Sequence, residues 1–414
     1  MSSMEKATHL DSPYHAVRVS EHVYWVGAID WSLRDFHGYA TQRGTTYNAF
    51  LVLGEKITLI DTVKAPFKDE LLARIASVID PARIDYIISN HAEMDHSGCL
   101  PALIAELKPE KVYASPNGVK ALTEHFHLTP DTVTAISDGE TLALGELHFT
   151  FLETRMLHWP DSMFTYLVED GVLFSNDAFG MHLATTERFD DEIDPSILEY
   201  EAKTYFANIL LPYASLITKL LAKVGGLGLT LNAIATDHGP VWRSDIHGAL
   251  ARYGVWAAQQ RSTKAVIVYD TMWESTAKMA RAISEGLLEG GATVKFLPLN
   301  SSHRSDVATE MLDAGALLVG SPTMNNNLFP TVADVLTYLK GLRPQGLVGA
   351  AFGSYGWGGE AVKQIEEILS AMHVELVGDL KVKYVPDAAA LAQCHALGLA
   401  VAERLTARPV PTAS

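Results

Sequence analysis

Four side chains that can bind a metal ion lie within six residues of one another, in the segment His91-Ala92-Glu93-Met94-Asp95-His96. The segment follows an apolar run, Tyr86 to Ser89, whose composition predicts a β-strand. In an extended loop alternate residues point the same way, so the side chains at 91, 93 and 95 share one side, and His96 follows as the chain turns. Imidazoles and carboxylates at this density are typical of a metal site and are hard to explain by packing.

Three further candidate ligands lie in other loops that each follow a predicted strand. They are His158 in Leu157-His158-Trp159-Pro160-Asp161-Ser162, Asp177 in Phe174-Ser175-Asn176-Asp177, and His238 in Thr236-Asp237-His238-Gly239. Each of them alone is a weak signal, because a single histidine or aspartate in a loop is usually an ordinary hydrogen-bonded residue. Their meaning depends on whether the fold brings them to the first segment.

Three loops of the second half have residues suited to a phosphate and a flat aromatic ring. The first loop follows an apolar strand and opens a helix, where hydroxyls and backbone N–H groups hold a phosphate dianion without a lysine or arginine. The predicted contacts are Thr271, Met272, Trp273, Glu274, Ser275 and Thr276 in this loop, Ser321, Pro322, Thr323, Met324, Asn325 and Asn326 in the second, and Ser354, Tyr355, Gly356, Trp357, Gly358 and Gly359 in the third. Serine and threonine are also ordinary helix N-caps, so the first loop alone does not decide between the two roles.

Together these loops favour FMN as the ligand. The first loop lacks the G-x-G-x-x-G pattern of dinucleotide sites, which favours a mononucleotide. Small residues let the backbone approach the edge of an isoalloxazine ring, and Trp357 can stack on that ring or flank it.

The elements that must position these loops differ between the two halves. In the first half, short strands such as Phe50 to Leu53 and His148 to Leu152 alternate with helical patterns, which predicts strands packed face to face with helices outside. From about Ser262, apolar strands alternate with amphipathic helices, as in a doubly wound parallel sheet of five strands. In the strand order 2-1-3-4-5, the three loops would meet at the carboxyl edge of the sheet. We predict domains at 1–258 and 259–408, followed by a tail at 409–414.

Composition excludes several classes of protein. The chain has 414 residues, of which 48% are hydrophobic and 20% charged, and its apolar runs are too short to cross a bilayer. A net charge of −17 argues against nucleic acid or an anionic membrane as the main partner. The two cysteines, Cys99 and Cys394, exclude a disulfide framework and a four-cysteine metal site. The N-terminus lacks the features of a secretory signal, so we expect a cytoplasmic protein.

The candidate ligands resemble the metal centre of the metallo-β-lactamase superfamily, an αββα sandwich with a two-metal site at one edge. Hydrolases of that superfamily usually carry His-x-His-x-Asp-His, whereas this chain has Glu93 in the second place. The resulting four imidazoles and three carboxylates suit iron better than zinc, which favours redox chemistry over hydrolysis. This substitution, the phrase His158-Trp159-Pro160-Asp161-Ser162-Met163 and the three flavodoxin-like loops are similar to those of the flavodiiron proteins.

The resemblance covers the chain from about Val17 to Leu405 and implies roles for individual residues. One iron would take His91, Glu93 and His158, the other would take Asp95, His96 and His238, and Asp177 would bridge them. His37 and Tyr205 match segments on the oxygen-binding side, where they would donate hydrogen bonds to O2 or NO; ordinary packing is the alternative for both.

The resemblance also implies an activity and partners. The chain would be an oxidoreductase that reduces O2 to water, NO to N2O or both, with electrons relayed through FMN. The external donor would be rubredoxin, a reduced deazaflavin system or an NADH-dependent reductase. The family implies a head-to-tail homodimer or a dimer of dimers. Because a rubredoxin iron needs four cysteines, we expect the minimal two-domain form.

Two other functions compete with this one. The first is a zinc hydrolase of the metallo-β-lactamase type with a fused flavodoxin module, against which Glu93 is the discriminating residue. The second is a non-catalytic electron carrier with a degenerate first domain, against which the complete ligand set argues.

Overall fold

The computed structural model describes residues 12–129 and 131–407, so the predicted tail at 409–414 lies outside the described residues. The chain divides into two compact units. The first runs to Phe36 and continues over Thr41–Tyr205 and Leu216–Tyr253, and the second comprises His37–Ala40, Phe206–Ser215 and the chain from Gly254 onward. The domain bounds 1–258 and 259–408 stay a prediction.

Most of the secondary-structure elements before residue 240 are short strands. In chain order they are β1 (Val17–Arg18), β2 (Val23–Trp25), β3 (Ala28–Asp30), β4 (Asp35–Phe36), β5 (Tyr39–Ala40), β6 (Thr45–Tyr47), β7 (Phe50–Val52), β8 (Thr58–Ile60), β9 (Tyr86–Ser89), β10 (Lys111–Ala114), β11 (Thr134–Ala135), β12 (Thr141–Leu144), β13 (Leu147–Glu153), β14 (Met163–Leu167), β15 (Val172–Phe174) and β16 (Ala233–Ala235). The first unit has two main sheets, ordered β1-β2-β7-β8-β9-β10-β11 and β12-β13-β14-β15-β16. Because β8 and β9 are parallel neighbours, and β15 and β16 likewise, the loops that follow each pair leave from one edge.

Helices lie outside the two sheets. They are α1 (Lys68–Ala76), α2 (Met94–Ser97), α3 (Leu100–Leu107), α4 (Pro116–Phe126), α5 (Pro195–Tyr205), α6 (Ala214–Gly226) and α7 (Ile246–Ala257). Leu71, Leu103 and Leu122, from α1, α3 and α4, join one buried cluster on the first sheet. On the other side, the ring of Tyr253 in α7 lies 4.4 Å from that of Phe179.

A second apolar layer fills the space between the sheets. Trp25 and Phe50 of the first sheet and Phe149, Phe151 and Phe174 of the second are buried in one cluster. Burial of large aromatic side chains is the main stabilising term in such a layer. The predicted αββα sandwich is therefore confirmed.

The second unit contains the predicted five-stranded sheet. Its elements are β17 (Lys264–Tyr269), α8 (Ser275–Glu289), β18 (Thr293–Pro298), α9 (Arg304–Met311), β19 (Ala316–Gly320), α10 (Pro330–Leu342), β20 (Val348–Tyr355), α11 (Glu360–Ala371), β21 (Glu375–Lys383) and α12 (Ala388–Thr406). The strand order is β18-β17-β19-β20-β21 with every pair parallel, which is the expected order 2-1-3-4-5. The loops after β17, β19 and β20 therefore share the carboxyl edge of the sheet.

Helices α8 and α12 of the second unit approach each other closely at two glycines. A Cβ atom on Gly286 would lie 2.0 Å from the carbonyl oxygen of His395, and one on Gly398 would lie 2.1 Å from that of Ile283. No other residue type fits at either position without moving a helix. Cys394, on α12, is fully buried, and Cys99 of the first unit is also buried.

Among the described residues, the helical stretch Pro195–Gly226 is long and apolar enough to cross a membrane. Half of its most apolar window is buried within the structure. The stretch is also not one uniform helix, because a π-helical turn at Phe206–Leu210 and a 3-10 turn at Leu211–Tyr213 separate α5 from α6.

Candidate metal centre

Four strand ends deliver the candidate ligands to one place in the first unit. The segment after β9 and the loops after β13, β15 and β16 supply, in that order, His91, Glu93, Asp95 and His96, then His158, Asp177 and His238. The side chain of His158 is 14% exposed, and the other six residues are buried. β9 belongs to the first sheet and the other three strands to the second, so the site depends on both sheets.

His91, Glu93 and His158 form the first group of donor atoms. Glu93 Oε2 lies 3.3 Å from His91 Nε2 and 3.2 Å from His158 Nε2. Asp177 Oδ2 completes the group at 3.3 Å and 3.1 Å from the same two nitrogens. These four ligand atoms all lie within 4.8 Å of one another, close enough to surround one cation.

Asp95, His96 and His238 form the second group. Asp95 Oδ2 lies 3.4 Å from His96 Nε2 and 3.3 Å from His238 Nε2. The two imidazole nitrogens are themselves 3.2 Å apart. Nitrogens that face each other so closely, with a carboxylate oxygen beside both, point their lone pairs at one position.

Asp177 lies between the two groups. Its Oδ2 faces His91 and His158, whereas its Oδ1 lies 3.4 Å from His96 Nε2 and 3.3 Å from His238 Nε2. The preceding residue, Asn176, has a left-handed backbone (φ 43°), which asparagine tolerates better than most residues. One carboxylate therefore presents one oxygen to each group.

Buried oxygens without hydrogen bonds indicate that a cation belongs in this site. Both carboxylate oxygens of Asp95 and both of Asp177 are buried, and none of them accepts a hydrogen bond from a described residue. Leaving such groups unpaired is costly, and metal coordination is the usual way in which proteins satisfy them. The donor set therefore fits two metal ions.

The electrostatics of the site point the same way. Burial opposes the charged form of His96, but the carboxylates of Asp95, Asp237 and Asp177 raise its pKa to about 10. Burial opposes the charged form of His158 as well, but Asp177 and Glu93 raise its pKa to about 9. Burial works against the charge of Asp177 as well, yet the field of His96 and the close contact with His158, 3.1 Å away, hold its pKa well below the ordinary value. The carboxylates of the site therefore favour positive charge beside them, which protonated histidines supply when no metal is bound.

A surrounding layer of hydrogen bonds orients the ligands. His91 Nδ1 lies 3.0 Å from Asp161 Oδ2, and His238 Nδ1 lies 2.6 Å from the carbonyl oxygen of Thr46. Both contacts leave Nε2 free to face the centre, as second-shell partners of metal-bound histidines do. Asp61 accepts hydrogen bonds from the backbone N–H and side-chain amide of Asn90, at 2.6 and 2.8 Å, and so fixes the residue before His91.

Asp161→Ala is expected to weaken metal binding while leaving every candidate ligand in place. The carboxylate of Asp161 holds His91 Nδ1 and also accepts a hydrogen bond from the N–H of Ala92 at 2.6 Å. Loss of such a partner typically lowers metal affinity or activity by roughly 10–100-fold. Titration with a competing chelator measures this, and Asp138→Ala, which removes a carboxylate paired with Lys223, is the control. Equal affinities of the two variants would contradict this role for Asp161.

Tyr205 and His182 lie beside the second group of ligands. The ring centroid of Tyr205 is 5.1 Å from that of His182 and 6.1 Å from that of His238. His182 Nδ1 lies 2.8 Å from Thr45 Oγ1, which in turn lies 3.2 Å from His238 Nδ1. His182 was not among the candidates selected from the sequence; its place five residues after Asp177, in the same loop, is the signal that could have found it.

His37 lies in a turn whose neighbours are held within the second unit. It has a left-handed backbone (φ 54°). The carbonyl oxygen of Gly38 accepts a hydrogen bond from Arg304 Nε at 2.9 Å, and the N–H of Ala40 donates to Ser305 Oγ at 2.9 Å. The roles of His37 and Tyr205 toward a gas molecule stay predictions.

The second unit has a cavity of about 460 Å³ at the carboxyl edge of its sheet. Its lining comprises Met272, Trp273, Ser275, Pro322, Thr323, Asn325, Asn326, Ser354, Tyr355, Gly356, Trp357, Tyr384 and Val385. The predicted contacts outside this lining are Thr271, Glu274, Thr276, Ser321, Met324, Gly358 and Gly359. Tyr384 and Val385 were not expected from the sequence, since they follow the last strand rather than one of the three loops.

The cavity has the features of a flavin phosphate site. Thr271 Oγ1 is buried without a hydrogen-bond partner in the described part of the chain. No side chain caps the N-terminus of α8, which begins at Ser275, among the contacts of the described residues. Free N–H groups at a helix N-terminus and a free hydroxyl beside them suit a phosphate group. Trp273 and Trp357, 88% and 81% exposed, offer large apolar faces at the rim.

Comparison with known proteins agrees with both halves. Residues 45–239 match the family described as "ODP family beta lactamase", and residues 267–398 match the flavodoxin family. The chain is 46% identical to a nitric oxide reductase of Moorella thermoacetica, over 94% of this chain and 98% of that protein. It is 39% identical to an anaerobic nitric oxide reductase flavorubredoxin of Aeromonas hydrophila, over 95% of this chain and 81% of that protein.

Solved structures show the same likeness. The rubredoxin oxygen:oxidoreductase of Desulfovibrio gigas is 46% identical, with a TM-score of 0.93 over 95% of this chain and 99% of that one. The flavodiiron protein of Giardia intestinalis is 34% identical, with a TM-score of 0.92 over 96% and 98% of the two chains. Identities and coverage of this size hold across both units, so this chain belongs to the flavodiiron protein family.

Proposed function

We propose that this protein reduces O2 to water, NO to N2O, or both, at a non-haem diiron site, with electrons relayed through FMN from an external donor. The observation that carries the proposal is Asp177, whose two oxygens each face a separate group of ligands. Names of the relatives agree, since they include a nitric oxide reductase and a rubredoxin-oxygen oxidoreductase.

The residues present fit two iron ions. His91, Glu93 and His158 would hold one ion, Asp95, His96 and His238 the other, and Asp177 would bridge them. When bound, the two ferrous ions would supply electrons and coordination positions for a diatomic gas. Three carboxylates and four imidazoles make a hard donor set that suits iron better than a zinc hydrolase site does.

The cavity of the second unit would hold FMN. Thr271, Ser275 and the first N–H groups of α8 would bind the phosphate, and Trp273 and Trp357 would flank the ring system. When bound, FMN would accept electrons from the donor and pass them to the iron. Ser275, Trp273 and Trp357 line the cavity, so the protein's own part would be to hold the flavin and flank its ring system.

Four features of the proposal go beyond the family assignment. The donor would be rubredoxin, as the name of the relative from Megalodesulfovibrio gigas states for that protein, a reduced deazaflavin system or an NADH-dependent reductase. The active form would be a head-to-tail homodimer or a dimer of dimers, and the protein would act in the cytoplasm. His37 and Tyr205 would contact the gas molecule.

Anaerobic purification followed by metal and flavin analysis tests the proposal. We expect two iron ions and one FMN per chain, and rapid reoxidation when the reduced protein is mixed with O2 and with NO in parallel stopped-flow experiments. Zinc without flavin, together with hydrolysis of a thioester or a lactam, would contradict the proposal and support the hydrolase. Reduction of the flavin on anaerobic mixing with each reduced donor in turn would identify the donor that fits.

A further inference from the structure

The proposed reaction consumes protons at a buried site. Reduction of O2 to two water molecules takes four protons and four electrons, and reduction of two NO molecules to N2O and water takes two of each. Six of the seven candidate ligands are buried and His158 is only 14% exposed, so we look for protein groups that connect this site with solvent. The following inference rests on the proposed function and concerns the group that brings those protons in.

Glu201 is a buried carboxyl on the helix that borders the site. It belongs to the buried face of α5, together with Leu198, Ala202, Thr204 and Tyr205. Its side chain is 9% exposed, and its one charged partner is Arg43, whose Nε lies 3.0 Å from Oε1 and whose side chain is 52% exposed. The ion pair therefore has one member in contact with solvent, Arg43, and one member in the protein interior, Glu201.

The inner end of this pair leads toward the metal ligands. Glu201 and Tyr205 are four residues apart on α5, so they share one face of the helix with Cβ atoms about 6 Å apart. The ring of Tyr205 packs against His182, and Thr45 joins His182 to His238 by contacts of 2.8 and 3.2 Å. The carbonyl oxygen of Arg43 accepts a hydrogen bond from the N–H of Ala184 at 2.9 Å, which keeps the outer end beside the same loop.

Two other buried carboxyls of the first unit are held differently. Asp190 accepts hydrogen bonds from the N–H groups of Arg243, Ser244 and Asp245, and Asp170 accepts them from Ser20 and His22. Burial opposes the charge of Asp170, but the hydrogen bonds from Ser20 and His22 hold its pKa below the ordinary value. Glu201 accepts one hydrogen bond from the described residues, from Arg43, which leaves it able to take up and release a proton.

We propose that Glu201 is the proton-supply group of the gas-reducing site, taking protons from solvent beside Arg43 and passing them inward along the face of α5 that carries Tyr205. Each cycle moves one proton from solvent to the site and returns Glu201 to its starting state. The electrons come separately, from the external donor. Glu201 acts through the residues between it and the iron, so it touches neither metal nor gas.

The charge state of Glu201 suits this role. Burial raises its pKa to about 7 against the opposing field and hydrogen bond of Arg43, the one charged group of the described chain that affects it. Near neutral pH the carboxyl therefore alternates readily between its two forms, which is the condition for efficient proton transfer.

The test compares Glu201→Gln with a matched control in the loaded, full-length protein. Glutamine keeps the size and the hydrogen bond to Arg43 but carries no exchangeable acid proton. We expect turnover with O2 or NO to fall by roughly 100-fold at neutral pH, the lower end of the range for proton-transfer groups, while iron and flavin contents stay at wild-type levels. Glu70→Gln is the control, because Glu70 pairs with Arg74 at 2.7 Å on α1, and it is expected to turn over normally.

The pH profile separates proton supply from a structural role. Wild-type turnover should fall as pH rises through the pKa of Glu201, because the protonated form is lost, and the Gln variant should lack this limb. Glu201→Asp should regain part of the rate. Arg43→Met removes the cation that favours the charged carboxylate, so it should move the limb to higher pH.

Each outcome bears on the proposal. Normal turnover of Glu201→Gln, or a slow variant with an unchanged pH limb and no rescue by aspartate, would overturn the role of Glu201 while leaving the gas-reducing function intact. A wild-type protein that contains iron and flavin but reduces neither gas would instead overturn the proposed function itself. The two failures are therefore distinguishable in one set of experiments.

Discussion

Asp177→Ala is expected to abolish turnover with O2 and with NO while leaving the flavin site unchanged. The wild-type carboxylate is the one group whose two oxygens face both sets of ligands, at 3.1 to 3.4 Å from four imidazole nitrogens. Loss of a mere orienting partner costs roughly 10–100-fold, so loss of the bridge should cost more than about 100-fold. Steady-state turnover, metal analysis and flavin absorbance on the same preparation measure the effect.

Asp170→Asn serves as the matched control for the conservative variant Asp177→Asn. Both changes remove the charge of a buried aspartate in the first unit, but Asp170 pairs with His22, away from the ligands. The Asp170 variant should keep iron and turnover, whereas the Asp177 variant should lose at least one iron ion per chain. Full turnover in Asp177→Asn would refute the bridging role.

Removing the metal is expected to destabilise the first unit as well as to stop turnover. The ligands come from strand ends of both sheets, so a bound metal ties the sheets together and is absent from the unfolded chain. A metal present at about a thousand times its Kd adds about 4 kcal/mol to the free energy of unfolding, which corresponds to roughly 8–16 °C in Tm for a unit of this size. Calorimetry before and after chelation, and after iron is restored, measures this. An unchanged Tm would show that the site is not part of the fold's stability.

The metal-free protein should also acquire a pH dependence that the loaded protein lacks. Without metal, the pKa values of His96 and His158 are raised from 6.5 to about 10 and about 9. Their protonation in the folded state therefore stabilises the apo protein fully below about pH 6.5, and this contribution is lost as pH rises through about 9 to 10. Denaturant unfolding across that range should show a falling free energy for the apo form only. Parallel curves for the two forms would contradict this account.

The fold could be predicted from the sequence, and a metal site proposed, because both depend largely on local patterns. The alternation of apolar strands with helices predicts the parallel sheet of the second unit, and the density of donors after β9 predicts a metal site. Contacts between residues that are far apart in the sequence could not be predicted. Asp161 meets His91 across 70 positions, and Thr45 meets His182 across 137, so no local pattern joins either pair.

The final helix shows a second limit. The helix α12, Ala388–Thr406, was absent from the elements expected from the sequence. Its alanine-rich sequence has no sharp division between apolar and polar faces. What holds it is a close crossing with α8 at Gly286 and Gly398, a contact between residues more than a hundred positions apart. An N-cap at Asp387, which accepts from the N–H of Ala390 at 2.8 Å, is the local signal that was available.

The two buried cysteines differ from reactive thiols in their protonation state. Burial raises the pKa of both thiols, that of Cys394 to about 11, so neither side chain presents a thiolate at neutral pH. The thiolate is the form that oxidants attack, and the sequence contains these two cysteines alone. Cys99 lies only three residues beyond His96, yet it is both buried and protonated. Neither cysteine is therefore in the form that oxidants attack, so we expect thiol oxidation to be slow when the reduced protein is exposed to O2 or NO.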